Sequence, residues 1–84
     1  MRHVVPIGQV IVAQHPDLGT GFFTGFQDGS PYFQSVLDKR VKVYRNIRNA
    51  GKQLARIKQG SPDDPATYEI QSTIALERRT ECAL

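Results

Sequence analysis

The first apolar stretch of the chain predicts a β-strand. Residues 9–13 are mainly apolar and β-branched, which favours a strand over about residues 4 to 13, and the turn-forming run 15–19 follows it. Pro6 and Gly8 interrupt the beginning of this strand, and both residue types are typical of strand edges and irregularities. We therefore expect the first strand to form an incompletely paired edge of the sheet.

An aromatic run predicts the second strand at residues 22–26. Alternate side chains of a strand share a face, so we expect Phe22, Thr24 and Phe26 on one side and Phe23 on the other. No lysine or arginine lies near these rings in the sequence, which argues against a base-stacking surface. The phenylalanines are therefore expected to pack in the core.

Three further segments show strand or turn patterns. Asp28 and Gly29 tolerate the positive φ that a two-residue type I′ turn needs, which predicts a hairpin into a third strand at residues 31–33. Residues 41–44 alternate apolar and polar side chains, which indicates a half-buried strand with its lysine turned outward, or an extended arm of the loop. Residues 68–76 alternate again and predict a final strand.

A change of period predicts one helix over about residues 46 to 59. Four apolar residues recur at intervals of three or four: Ile47, Ala50, Leu54 and Ile57. Asn46 is a suitable N-cap, and Gly60 is a suitable end. We expect the apolar stripe to be buried against the sheet, and close packing there to be the reason for Gly51 inside the helix.

Together these elements predict a single α+β domain over residues 1–84, in which a small antiparallel sheet of three to five strands packs with one principal α-helix. A chain of 84 residues has room for one thin core. Residues 77–84 are expected to form a frayed tail or a short helix. Because the chain is short and an open strand edge is expected, we also expect a homodimer.

The basic residues are concentrated in one part of the chain. The formal net charge is +3, but eight of the eleven lysines and arginines lie within residues 39–58, which contain no acidic residue. These eight cations form the predicted binding site: Lys39, Arg40, Lys42, Arg45, Arg48, Lys52, Arg56 and Lys58. A local excess of one sign is typical of a surface that binds an anionic partner.

Two kinds of partner fit this segment. The first is nucleic acid, with phosphates contacted by a stripe of helix cations: Arg45, Arg48, Lys52 and Arg56. Tyr32, Phe33 or Tyr44 would then offer stacking surfaces. The second is a protein, because a basic helix or an unpaired sheet edge would also dock on an acidic protein surface. The plain alternative to both is the solvated face of an amphipathic helix.

The sequence lacks recognisable catalytic chemistry. No serine or cysteine lies in a nucleophile motif, and Asp63 and Asp64 lie between prolines in a predicted exposed loop. His3 and His15 are too far apart in sequence to indicate a metal site. We therefore expect a non-enzymatic accessory or regulatory protein with no cofactor, no metal and no small-molecule substrate.

The compartment is inferred from what the sequence lacks. Its N-terminal region has no continuous apolar run of the kind found in signal peptides, and no stretch is long enough to cross a bilayer. Cys82 is the single cysteine, which excludes an intramolecular disulfide. We expect a cytoplasmic protein that does not bind membranes.

Several short motifs lie between residues 21 and 57. They are Phe23-Thr24-Gly25-Phe26, Asp28-Gly29, Pro31-Tyr32-Phe33, Lys42-Val43-Tyr44 and Ala50-Gly51-Lys52-Gln53-Leu54. In this order they resemble a type of small, uncharacterised phage and prophage accessory protein. The resemblance implies a role in a phage or mobile element, and it implies no activity or site residues.

Overall fold

The computed structural model describes residues 6–60 and 65–76. Its elements are β1 (Gln9–His15), β2 (Gly19–Gln27), β3 (Ser30–Gln34), α1 (Ile47–Gly60) and β4 (Thr67–Ser72). The strands form an antiparallel sheet in the order β3-β2-β1-β4, and α1 packs on one face. The predicted α+β fold is confirmed. The predictions for the tail 77–84, for Asp63 and Asp64, for His3 and for Cys82 lie outside the described residues.

The first strand lies inside the sheet. β1 pairs with β2 over its second half and with β4 over most of its length, so the expectation of an open edge there is wrong. Pro6 and Gly8 precede β1 and do not form part of it. The partner on the side predicted to be open is β4, which comes much later in the sequence. The edges of the sheet are β3 and β4. The homodimer stays a prediction, and edge pairing would have to use one of these two strands.

A type I′ turn joins β2 and β3, as predicted. Asp28 and Gly29 have φ values of 53° and 81°, and Gln27 pairs with Ser30 on either side of them. Two consecutive residues with positive φ are what this turn requires.

A β-bulge in β2 changes which phenylalanines share a face. The pairing with β3 shifts between Phe23 and Gly25, so that Thr24 is an extra residue. As a result Phe26 packs against Phe23, with ring centroids 5.2 Å apart, while Phe22 lies on the other face. The predicted packing of these rings in the core is confirmed, but the predicted grouping of Phe26 with Phe22 is wrong.

Apolar side chains cover both faces of the sheet. Towards α1 the buried residues are Ile11, Phe23, Ala50 and Ile57. On the opposite face the buried residues are Val10, Val12 and Val41. The connection between β3 and α1 supplies Leu37, Val41 and Val43 to this second cluster, so it folds over the face that the helix leaves free.

Residues 41–44 carry the chain through the sheet, and we call them the crossing segment. β1 and β2 are paired only at one end, and the crossing segment lies between them at the other. The Lys42 amide donates to the Phe23 carbonyl oxygen at 2.8 Å, and Tyr44 and Gln9 exchange two hydrogen bonds of 2.8 Å each. The predicted strand is therefore reduced to one β-bridge, and the alternative of an extended arm describes the structure.

α1 begins and ends at the predicted residues. The side-chain oxygen of Asn46 accepts a hydrogen bond from the Asn49 amide at 2.9 Å, as an N-cap does. Gly60 is the last helical residue, and Lys58 lies in the last turn, where the helix dipole favours a cation.

The apolar stripe of α1 is only partly buried. Ala50 and Ile57 are fully buried, and Leu54 is partly buried against the same cluster. Ile47 is 64% exposed, so its predicted burial is wrong. Ile47 is the first residue of α1, and helical side chains lean towards the N-terminus. Its side chain therefore projects beyond the sheet.

Gly51 does not pack closely against the sheet, contrary to expectation. A Cβ at this position would meet no neighbouring atom within 4 Å. Gly51→Ala should therefore raise the free energy of unfolding by about 1 kcal/mol, the difference between the two residues in a helix interior. Urea unfolding followed by circular dichroism measures this change. A loss of stability would show that the helix does not have this free space.

The last predicted strand ends early. β4 ends at Ser72, and residues 73–76 are helical. The buried Thr73 hydroxyl donates to the Pro6 carbonyl oxygen and accepts from the Gly8 amide, both at 3.1 Å. The Thr73 amide donates to the Gly8 carbonyl oxygen at 2.9 Å. These bonds to the segment before β1 end the strand, although the sequence continues to alternate.

Candidate nucleic-acid interface

All eight predicted site residues are exposed, but the fold distributes them over several elements. Lys39 and Arg40 lie in the connection over the far face of the sheet, Lys42 in the crossing segment, Arg45 just before α1, and Arg48, Lys52, Arg56 and Lys58 on α1. The basic segment is continuous in sequence, but its charges lie on two sides of the sheet.

Arg48 and Lys52 point away from the sheet. A helix turns about 100° per residue, so each lies about 160° around α1 from the buried Ala50. By the same geometry Arg56 and Lys58 lie about 120° and 80° from Ala50, on opposite flanks. Arg45 precedes the cap residue Asn46, so its predicted place on the helix is wrong. We keep the name helix stripe for the two outward-facing residues together with Arg56 and the neighbouring Arg45: Arg45, Arg48, Lys52 and Arg56.

Arg56 is held against an aromatic ring. Its guanidinium carbon lies 4.4 Å from the centre of the Phe26 ring, a favourable cation–π geometry, and its Nη1 donates to Gln53 at 3.3 Å. Burial raises the pKa of the Tyr44 hydroxyl, and the positive charge of Arg56 opposes that shift. Arg56 therefore also stabilises the contact between α1 and β2, which a sequence-based stripe does not reveal.

Arg40 is already paired with a carboxylate. Its Nη2 lies 2.7 Å from Asp38 Oδ2, and Asp38 also accepts from the Arg40 amide at 2.8 Å and from Gln34 Nε2 at 2.7 Å. The Arg40 side chain, then these amide donors, hold the pKa of Asp38 well below its usual range. Asp38 immediately precedes residues 39–58, so the absence of acidic residues within that segment does not exclude this ion pair.

Acid should weaken the domain through Asp38. Its pKa is lowered in the folded state, so the carboxylate stabilises the fold above its unfolded pKa of about 4, and this stabilisation is lost as the pH falls below that value. We expect the wild type to lose more stability than Asp38→Asn between about pH 5 and pH 2. Denaturant unfolding of both proteins at each pH measures the difference. Parallel pH profiles would contradict the prediction.

The remaining cations have no ion-pair partner in the described part of the chain. Among residues 6–60 and 65–76, the pair of Asp38 and Arg40 is the only salt bridge. Arg48 and Lys52 therefore present their charges to solvent. An anionic partner could contact them without displacing a carboxylate of the described residues.

None of the predicted stacking residues is both exposed and next to the helix stripe. Phe33 packs between Phe23 and Tyr68, with centroid distances of 5.6 Å and 6.1 Å, and Tyr44 is partly buried in the same cluster. Tyr32 is 47% exposed. Because Phe33 faces α1, its neighbour Tyr32 faces the other side of the sheet. The helix stripe therefore offers charge without an exposed aromatic ring next to it.

No protein-family model, curated protein or solved structure matches this chain. The resemblance to phage and prophage accessory proteins therefore stays a prediction. In the described ranges no three His, Cys, Asp or Glu side chains come together as metal ligands would. Neither of the described helical segments has the length and apolar character needed to span a membrane.

Proposed function

We propose that this protein contacts the phosphate backbone of nucleic acid through the helix stripe, as a small non-enzymatic accessory protein. The observation that carries the proposal is the outward-facing pair Arg48 and Lys52. Both side chains are exposed, and neither has a carboxylate partner among residues 6–60 and 65–76. Lysine and arginine side chains that neutralise phosphates supply most of the affinity of non-specific nucleic-acid binding.

The spacing of the pair suits contact with one strand. Four residues rise about 6 Å along a helix, so Arg48 and Lys52 lie one above the other on the outer side of α1. Arg45 and Arg56 extend the stripe beyond them. The first turn of α1 contains no acidic residue, so no carboxylate there opposes an approaching phosphate.

Contacts of this kind position a protein on nucleic acid without reading its sequence. We therefore propose binding with little sequence preference, to DNA or RNA, in the cytoplasm. The short-motif resemblance supports a role as an accessory protein of a phage or mobile element.

A salt titration tests the proposal. If the four stripe cations each neutralise a phosphate, the log affinity should fall against log salt with a slope of about −3.6 for duplex DNA and about −2.8 for a single strand. Fluorescence anisotropy of labelled 20-mers, titrated at several salt concentrations, gives both slopes. Absence of binding at about 50 mM salt, where such contacts are strong, would overturn the proposal.

A further inference from the structure

α1 covers only part of the sheet face on which it packs. A cleft of about 280 Å³ lies there, and the described residues that line it include no lysine, arginine or carboxylate. Ala13 and Gly21 belong to this lining, and Leu18, Phe33 and Tyr68 are its largest apolar side chains. We call it the sheet-end cleft.

The sheet-end cleft lies on the same face as the helix. Ile11 and Phe23 are buried beneath α1, and Ala13 and Gly21 are each two residues from one of them, so both positions face the same side of the sheet. Two residues span about 7 Å of a strand, which places the floor of the cleft that far from the buried cluster.

The floor of the sheet-end cleft consists of small residues at paired positions of β1 and β2. Ala13 pairs with Gly21 in neighbouring strands. A Cβ at position 21 would lie 3.1 Å from the Phe33 Cβ, so a larger residue would have to shift the Phe33 side chain. Glycine and alanine at these positions therefore leave a recess beside two aromatic rings.

One wall of the cleft is an exposed leucine on an ordered turn. Leu18 is 83% exposed, more than any other large apolar side chain of the described residues. His15 Nδ1 accepts hydrogen bonds from the amides of Asp17 and Leu18 at 3.0 Å and 3.1 Å. The turn thus holds Leu18 at the rim, where a molecule in the cleft would cover it.

We propose that the sheet-end cleft binds one neutral, planar aromatic or heteroaromatic ring. A cavity of about 150 Å³ holds benzene, and sites for larger ligands begin near 300 Å³. A volume of about 280 Å³ therefore fits one monocyclic or bicyclic ring. Phe33 and Tyr68 offer aromatic contacts, and no lysine, arginine or carboxylate of the described residues lies in the lining to pair with an ion. A free small molecule or an unpaired base supplies such a ring, and only the second source rests on the proposed function.

Amide NMR shifts test the site with three probes: indole, adenosine and a single-stranded octanucleotide. We expect shifts in residues 13–21, 33–35 and 66–68, with a roughly millimolar Kd for indole, as is ordinary for a ligand of about ten heavy atoms. Ala66→Phe places a large side chain in the lining and should abolish these shifts. Leu18→Ala should weaken binding at least about threefold.

Val36→Ala is the matched control, because Val36 is also an exposed apolar residue, at 57%, but lies outside the cleft. It should bind all three probes like the wild type. Binding of indole or adenosine assigns the site to free rings, and shifts caused by the octanucleotide alone assign it to bases. No cleft shifts with any probe, or shifts that persist in Ala66→Phe, would overturn the inference. If the wild type binds indole but not the octanucleotide, the proposed function is contradicted and the inference about the cleft stands.

Discussion

Gly8→Ala should lower the free energy of unfolding by about 3 kcal/mol, at the upper end of the usual cost of overpacking. A Cβ at position 8 would lie 2.6 Å from the Tyr44 carbonyl oxygen and 2.6 Å from Val43 Cγ1. The carbonyl group cannot easily move away, because Tyr44 and Gln9 exchange two backbone hydrogen bonds. Relief of the clash therefore requires the crossing segment to shift within the sheet.

Moving residue 8 instead would break a second set of contacts. The Gly8 amide and carbonyl both bond to Thr73, which is buried and also donates to Pro6. Each such bond contributes about 0.5 to 1.5 kcal/mol net, and more is lost when a buried group is left unpaired. Both ways of making room for the Cβ are therefore costly.

Thermal unfolding measures this loss, and about 3 kcal/mol corresponds to a fall in Tm of about 12–24 °C for a domain of this size. Gly51→Ala is the matched control, since the same substitution at an open helical position should raise the Tm. Adding Val43→Ala to Gly8→Ala should show coupling, because it removes one of the two clashing atoms. A Gly8→Ala protein within about 0.5 kcal/mol of the wild type would show that the segments are not this closely packed.

The elements that the sequence predicted correctly depend on local chemistry. The Asp28 and Gly29 turn follows from the positive φ that those residues tolerate. The ends of α1 follow from the cap at Asn46 and the glycine at position 60. Each of these features involves residues close together in the chain, so a pattern of a few positions contains the whole signal.

The elements that it predicted wrongly depend on partners outside the segment that shows the pattern. Pro6 and Gly8 suggested an edge strand, but β4 pairs with β1 from the other end of the sequence. The bulge at Thr24 exists only because of how β2 pairs with β3. The alternation beyond Ser72 is interrupted by bonds between Thr73 and the segment before β1. None of these pairings is visible in the periodicity of a single segment.

The same distinction between local and non-local features applies to the predicted binding site. Helical spacing correctly placed Arg48 and Lys52 on the outer side of α1, opposite Ala50. The charge count alone did not show that Arg40 pairs with Asp38 or that Arg56 lies over a ring. Counting cations along the chain thus overestimates how many of them are free to meet a partner.

The double variant Arg48→Glu/Lys52→Glu should lower the affinity for duplex DNA at least about 60-fold at 0.1 M salt. Each phosphate contact contributes about 0.9 to the salt slope, so losing two contacts removes about 1.8 decades of affinity at 0.1 M relative to 1 M salt. Arg56 is left unchanged, because its removal would also disturb the contact with Phe26. Anisotropy titrations measure the affinity, and circular dichroism confirms that the variant is folded.

The matched control is Lys39→Glu/Lys58→Glu, which changes the net charge by the same amount at two exposed sites away from the outer side of α1. Because exposed charges are screened beyond about 10 Å at 0.1 M salt, these reversals should weaken binding far less. Equal losses in the two variants would mean that net charge drives binding, and the helix stripe would then lose its special role. If the wild type binds neither DNA nor RNA, the proposed function is contradicted. The unpaired cations then favour an acidic protein surface as the partner. The variant Arg48→Glu/Lys52→Glu should fail to capture that protein in a pull-down.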